Sequence, residues 1–198
     1  MRIGIFGGTF DPPHLGHLVL AAEAMEQMKL ESVYWVLTPD PPHKKRKQIS
    51  PFSLRADMVK AAIERFAEFH FSDIESLRPG PHYAVDTVRE FHRQLPGTEL
   101  FYVMGEDALD DLPVWHDSTG FVTACDGIIV MEREGEVPDW NKLNAVLPAL
   151  RAKTHLLKTP IVEISSHEIR ERVKHDRTWR AYVVTGVEAI IIHNQLYR

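Results

Sequence analysis

Short apolar runs alternate with stretches of helical period along the whole chain. Ile3 to Phe6, Ser32 to Thr38, Leu100 to Met104 and Gly127 to Met131 have strand length and composition, and Phe69 to Asp73 is a shorter run of the same kind. Leu15, Leu18, Val19, Ala22 and Met25 recur at helical spacing, with Glu23, Glu26 and Gln27 on the opposite face. Leu54, Met58, Ala61, Ala62 and Phe66 form a second stripe behind Ser50-Pro51, which reads as a cap followed by a proline at the first helical position. Val85, Val88 and Phe91 mark a third helix from Tyr83 to about Gln94, and Trp140 to Arg151 reads as a helix bent or ended by Pro148. Strand, helix, strand in succession implies parallel pairing through right-handed crossovers. The fold class predicted is therefore α/β, a doubly wound parallel sheet, with residues 1–198 as a single domain.

Composition narrows the function classes. At 198 residues with 44% hydrophobic content the chain can bury one substantial core. A formal net charge of −5 argues against a general nucleic-acid binder, so an anionic ligand has to be met by local groups. No apolar run is long enough to span a bilayer, and Met1-Arg2 leads directly into a strand with no signal-peptide pattern. The lone Cys125 sits in an apolar stretch, reads as a small core residue, and fits a reducing compartment. A cytoplasmic protein is expected, with no nucleic-acid or membrane partner and with the oligomeric state left open.

The chemistry concentrates where the first apolar run ends, in Gly7-Gly8-Thr9-Phe10-Asp11-Pro12-Pro13-His14-Leu15-Gly16-His17. This is strand, tight loop and helix start. The first N–H groups of a helix lack intrahelical partners and sit at its positive dipole end, so a polyphosphate is stabilised there. Gly7 and Gly8 are expected to let a ligand approach the backbone and to tolerate positive φ, and Gly16 to keep the approach open. His14 and His17, one turn apart, share a face and can both donate to phosphate oxygens. Spacing alone also fits an ordinary surface pair or, with Asp11, a metal site. Neither Gly-x-x-x-x-Gly-Lys-Ser/Thr nor Gly-x-Gly-x-x-Gly occurs here.

Gly-Gly-Thr-Phe-Asp-Pro-Pro-His-Leu-Gly-His resembles the signature of the HxGH nucleotidyltransferase superfamily, whose members join a nucleoside triphosphate to a phosphate-bearing acceptor and release pyrophosphate. Over nearly its whole length the chain looks most like the bacterial nicotinate-nucleotide adenylyltransferases. The resemblance implies a Rossmann-like nucleotidyltransferase fold and two small-molecule partners, ATP and nicotinate mononucleotide. It implies transfer of AMP to the mononucleotide, giving deamido-NAD and pyrophosphate in NAD biosynthesis. Mg²⁺ carried by the ATP phosphates is the implied cofactor, with no metal ligand assigned to the protein. Gly7, Gly8, Thr9, Phe10 and Gly16 then belong to the ATP side, and His14 and His17 to the catalytic set.

Further motifs follow in family order. Pro41-Pro42-His43-Lys44 resembles the segment that sends a basic side chain to the triphosphate, which makes Lys44 catalytic and leaves Lys45, Arg46 and Lys47 as general attraction for anions. Gly105-Glu106-Asp107 resembles a Gly-x-Asp motif on the adenosine side, giving Gly105 and Asp107 as ATP-binding residues. Ile164-Ser165-Ser166-His167-Glu168-Ile169-Arg170 resembles the second nucleotide-binding motif, with His167 where threonine is usual. Ser165 with Glu168 reads as a capping box; the resemblance implies that Ser165 and Ser166 bind ATP and that Arg170, a planar fork suited to phosphate, joins the catalytic set. His82-Tyr83-Ala84 stands where the family usually shows Ser-Tyr-Thr, and Leu112-Pro113-Val114-Trp115 resembles the Leu-Pro-x-Trp segment of the nicotinate-nucleotide members. Tyr83, Ala84 and Trp115 are accordingly assigned to the mononucleotide. Other readings remain: nicotinamide mononucleotide or another phosphate as acceptor, and a non-catalytic nucleotide sensor on the same fold.

Overall fold

A computed structural model describes residues 1–40, 49–131, 138–158, 160 and 164–198. Six strands, β1 (Arg2–Gly8), β2 (Ser32–Leu37), β3 (Phe69–Ser72), β4 (Glu99–Gly105), β5 (Gly127–Met131) and β6 (Thr154–Leu157), pair in parallel in the order β3-β2-β1-β4-β5-β6. The chain builds outward from β1 to one side as far as β3, then returns to β4 on the other flank of β1. Loops leaving β1 and β4 therefore diverge, and their divergence opens a cleft beyond the C-terminal ends of these two strands.

Helices cover both faces, which is why the strands read as nearly continuous apolar runs. Side chains alternate across the pleat: Leu100, Tyr102 and Met104 point to one core, Phe101 and Val103 to the other. Helices α1 (Leu15–Met28), α2 (Phe52–Ile63), α8 (Ser166–Lys174) and α9 (Thr185–His193) close the core around Phe6, Trp35 and Val103. The opposite core, around Ile3, Ile5 and Tyr102, is closed by α3 (Ala84–Gln94), α4 (Glu106–Asp111), α5 (Ser118–Ala124), α6 (Trp140–Val146) and α7 (Leu150–Lys153). In α3 the residues expected to be apolar, Val85, Val88 and Phe91, are all buried.

Three local expectations change. The buried face of α1 consists of Gly16, Leu18, Leu20, Ala21 and Ala24, whereas Leu15, Ala22 and Met25 are only partly buried. Ala21 and Ala24 are small enough for the helix to lie close on the sheet, and this turns the stripe away from the one read from larger side chains. Pro51, not Ser50, is the cap of α2; Ser50 lies one residue before it, with its N–H donating to the Asp11 carboxylate at 3.1 Å. The stretch around Pro148 is two helices, α6 and α7, and β6 follows as an edge strand too short to stand out in the sequence.

One buried cation joins the loops under the cleft. Arg55 on α2 is 1% exposed, and its guanidinium donates to the carbonyls of Thr9 (2.9 Å), Thr38 (2.9 Å), Pro39 (2.8 Å) and Ser50 (2.9 Å). Burial disfavours its charge, and the nearby Asp11 and Tyr197 offset that. The planar fork satisfies loop carbonyls that no strand or helix ladder reaches. Arg55→Met is expected to lower unfolding free energy by about 3–5 kcal/mol, because it strips the donor from several buried carbonyls at once. Urea denaturation against the parent protein measures this; a loss below about 1 kcal/mol would show that the loops are held by other means.

Candidate active site

Two helix N-termini meet at one cavity of about 520 Å³ in the cleft between the β1 and β4 loops. His14, Gly16 and His17 at the start of α1 line one side, and Ser165, Ser166, His167 and Arg170 at the start of α8 line another. Each helix start carries N–H groups without intrahelical acceptors and a positive dipole end. The convergence makes a site for a polyanion.

The two histidines are arranged by the helix start itself. His14 is the N-cap of α1, and its N–H donates to Nδ1 of His17 at 3.1 Å. Because Nδ1 accepts, the proton of the neutral His17 ring lies on Nε2. The rings lie 3.7 Å apart between centroids and 31° from parallel. His14 is only 7% exposed and its Nδ1 has no hydrogen-bond partner among the described residues. Burial without a compensating partner pushes its pKa down from 6.5 to about 4. Gly16 makes room for that ring, since a Cβ there would come within 3.1 Å of it.

The glycine pair acts differently from the expectation. Neither Gly7 nor Gly8 has positive φ; the left-handed residue of the loop is Phe10, at φ 45°. A Cβ on Gly7 would strike the Tyr102 hydroxyl, and one on Gly8 would come within 2.7 Å of the Phe10 ring. These glycines accommodate side chains of the protein as much as a ligand. Phe10 is 2% exposed and packs edge-on to Phe6 at 5.3 Å, so a part for it in binding ATP falls to its backbone. Gly7 and Thr9 line the cavity, whereas Gly8 and Phe10 are not on its wall.

The second motif grips the first. The Arg170 guanidinium donates to the Asp11 carbonyl at 2.7 Å, and the Ser166 hydroxyl donates to the Pro12 carbonyl at 2.8 Å. Ser166 thus spends its hydroxyl proton on the protein, which leaves its backbone N–H, at the first position of α8, without an intrahelical acceptor. Ser165 caps α8 by accepting from the Glu168 N–H at 3.1 Å. The expected return half of that capping box is replaced: the Glu168 carboxylate pairs with Arg172 at 2.8 Å.

Gly105, the N-cap of α4, and Asp107 in its first turn line the cavity on the β4 side. Trp115 lines it too, half-buried, tilted against Phe121 at 5.4 Å and edge-on to Tyr102 at 6.4 Å. Tyr83 and Ala84, at the start of α3, are not on this wall. They adjoin the Trp115 segment through the Tyr83 ring, which stacks on His116 at 4.0 Å and 20°. Lys44, with the rest of the basic run, lies outside the described residues. Among the described residues no three His, Cys, Asp or Glu side chains come together as a metal site, and the Asp11 carboxylate already accepts from Ser50 and Tyr197. Sequence reading missed Arg55 and Tyr197, both of which bear on this loop from a distance.

The Cytidylyltransferase-like family pattern matches residues 5–172, the span from β1 through most of α8. A protein of Thermomicrobium roseum named probable nicotinate-nucleotide adenylyltransferase is 38% identical over 198 residues, covering 100% of this chain and 92% of its own. One of the same name from Thermus thermophilus is 39% identical with 100% of both chains covered. In three dimensions the Plasmodium falciparum nicotinic acid mononucleotide adenylyltransferase complexed with NaAD superposes with a TM-score of 0.80 over 99% of this chain and 97% of its own, at 21% identity, which establishes the shared fold. With its parallel sheet, its two converging helix starts and full-length identity well above 30% to these relatives, the chain belongs to the nicotinate-nucleotide adenylyltransferase family.

Proposed function

We propose that this protein transfers AMP from ATP to nicotinate mononucleotide, giving deamido-NAD and pyrophosphate. The observation that carries the ATP half of the reading is the pair of helix N-termini, with His14, His17 and Arg170, around one cavity. The acceptor half rests on family membership and on Trp115 at the β4 side of that cavity. A phosphate oxygen of the mononucleotide attacks the α-phosphorus of ATP in line. As that P–O bond forms, the bond from the α-phosphorus to the bridging oxygen breaks, and pyrophosphate leaves with the electron pair. No protein nucleophile takes part. Transfers of this kind are accelerated by positioning and by stabilising charge on the phosphorus oxygens and the leaving group.

His17 gives its Nε2–H to that charge, His14 and Arg170 assist, and Lys44 reaches the triphosphate from the basic run. Thr9 and the backbone of Ser165-Ser166 add neutral donors, while Gly105 and Asp107 border the adenosine. Nucleotidyl transfer from ATP uses a divalent metal, and we assign Mg²⁺, held by the triphosphate oxygens and water; it neutralises phosphate charge when bound. The mononucleotide lies against Trp115, with the first N–H groups of α3, at Tyr83-Ala84, available to its carboxylate. We place the reaction in the cytoplasm, and the single cysteine, Cys125, buried and free, fits a reducing compartment. Among the described residues no helix is long and apolar enough to cross a membrane.

Wild-type enzyme should prefer nicotinate over nicotinamide mononucleotide by at least about 10²-fold in kcat/KM, since N–H donors facing a carboxylate meet no acceptor on the amide NH₂. Pyrophosphate release with both acceptors measures this, and equal efficiency would remove the acid-specific assignment. Trp115→Ala should raise KM for the mononucleotide and leave KM for ATP nearly unchanged; the reverse would put Trp115 on the adenosine side.

His17→Ala should lower kcat on the order of 10²-fold or more, and Lys44→Ala should depress activity well beyond a Lys47→Ala control. An unchanged kcat in His17→Ala would take that ring out of the catalytic set.

The low pKa of His14 has a sign that can be checked. Folded His14 stays neutral down to about pH 4, whereas in the unfolded chain it binds a proton below about 6.5. Unfolding therefore takes up a proton in that window, so the His14 contribution is fully present above 6.5 and is lost as pH falls toward 4. The gap corresponds to roughly 3 kcal/mol. Denaturation at several pH values should show His14→Gln losing less stability than the parent over this range; equal losses would mean the ring is not buried neutral.

A further inference from the structure

We infer that Tyr197, in the segment after α9, is a positioning residue for the phosphate-binding loop, acting through the carboxylate of Asp11. The Tyr197 hydroxyl donates to Asp11 Oδ1 at 2.7 Å, from 186 residues away in sequence. The other carboxylate oxygen, Oδ2, accepts from the Ser50 N–H at 3.1 Å. Asp11 is 4% exposed, so a lost partner leaves an acceptor that water does not readily replace. Its carbonyl is the one gripped by Arg170, and the carbonyl of the next residue, Pro12, takes the Ser166 hydroxyl. Fixing Asp11 therefore fixes the chain midway between Thr9 and His14 and sets Arg170 against it.

The segment is built to deliver this hydroxyl. Gln195 and Tyr197 both adopt left-handed φ, 50° and 66°, a conformation unfavourable for side chains of this size and kept only where surrounding contacts outweigh its cost. The Tyr197 hydroxyl also lies 3.9 Å from the sulfur of Met58, a fully buried residue of α2. Burial and then the neighbouring Asp11 raise the Tyr197 pKa far above its ordinary value, so the group remains a donor at every working pH. Arg55, whose charge is favoured by both Asp11 and Tyr197, anchors the Thr9 and Ser50 carbonyls of the same loop system. Tyr197 is not itself on the wall of the cavity; it meets that wall through Asp11, which is part of it. Its effect runs through the loop.

The inference rests on the ATP half of the proposed function and is independent of the acceptor. Tyr197→Phe removes one oxygen and keeps the ring. It should weaken binding of α,β-methylene-ATP, measured calorimetrically, about 5–10-fold, and raise KM for ATP to match, while KM for the mononucleotide stays within about 2-fold. A merely structural role would lower the active fraction, which reduces kcat and moves neither KM. Asp11→Asn should give the same ATP defect, and the double variant should be no worse than the worse single one, because both act through one bond. If either variant fails to fold, the other still carries the comparison. Unchanged binding of the ATP analogue in Tyr197→Phe, or multiplying defects in the double variant, would overturn the inference. Wild-type protein that binds the analogue but transfers no AMP would instead refute the proposed reaction and leave this inference to be decided by the binding data.

Discussion

The site depends on holding irregular backbone still at the end of a parallel sheet. Strands satisfy one another through their ladders, but the loops that leave β1 and β2 carry carbonyl groups that no ladder reaches. Arg55 gathers carbonyls from Thr9, Thr38, Pro39 and Ser50 on one guanidinium, and it does so from inside the protein. The cost of burying that cation is offset by its hydrogen bonds and by the nearby Asp11 carboxylate. With the loops fixed in this way, the starts of α1 and α8 can face one cavity with their donors already oriented. Preorganised donors cost no reorganisation when charge develops, and that is where they help a phosphorus-centred reaction most.

The His14–His17 pair shows how a local motif can encode both geometry and protonation. One turn of helix places the rings in contact, and the His14 N–H bonded to His17 Nδ1 selects the Nε2 tautomer of His17. His14 is buried and neutral, so what it brings to the cavity wall is a hydrogen-bonding ring, not a fixed cation. Among the described residues of the cavity wall the fixed positive charge is that of Arg170, whose side chain is already tied to the Asp11 carbonyl.

What the sequence made legible follows from range. β1 to β5 were readable because each is a local apolar run, whereas the four-residue edge strand β6 was not. The His pair was readable because the i, i+3 relation is a property of one helix turn. Arg55 was hidden inside a helix whose neighbours explain it as packing, and its partners lie 5 to 46 residues away. Tyr197 was further still from legibility, since nothing near it in sequence announces Asp11. For the glycines the expected positive φ is absent, and the room that Gly7 and Gly8 leave for Tyr102 and Phe10 was not legible, since only the folded register brings those side chains there. Likewise α1 buries Ala21 and Ala24 because close approach to the sheet favours small residues over the larger ones that dominate a periodicity.

In the proposed reaction AMP passes directly between two bound nucleotides, with the protein supplying donors and no nucleophile. The stereochemical course at phosphorus tests it most directly. ATP made chiral at its α-phosphorus by sulfur substitution is used with nicotinate mononucleotide, and the configuration of the dinucleotide product is determined by ³¹P NMR. A single in-line displacement predicts inversion. Retention would contradict direct transfer, because it requires two displacements and an adenylylated side chain, for which the paired histidines at the start of α1 would be the first place to look.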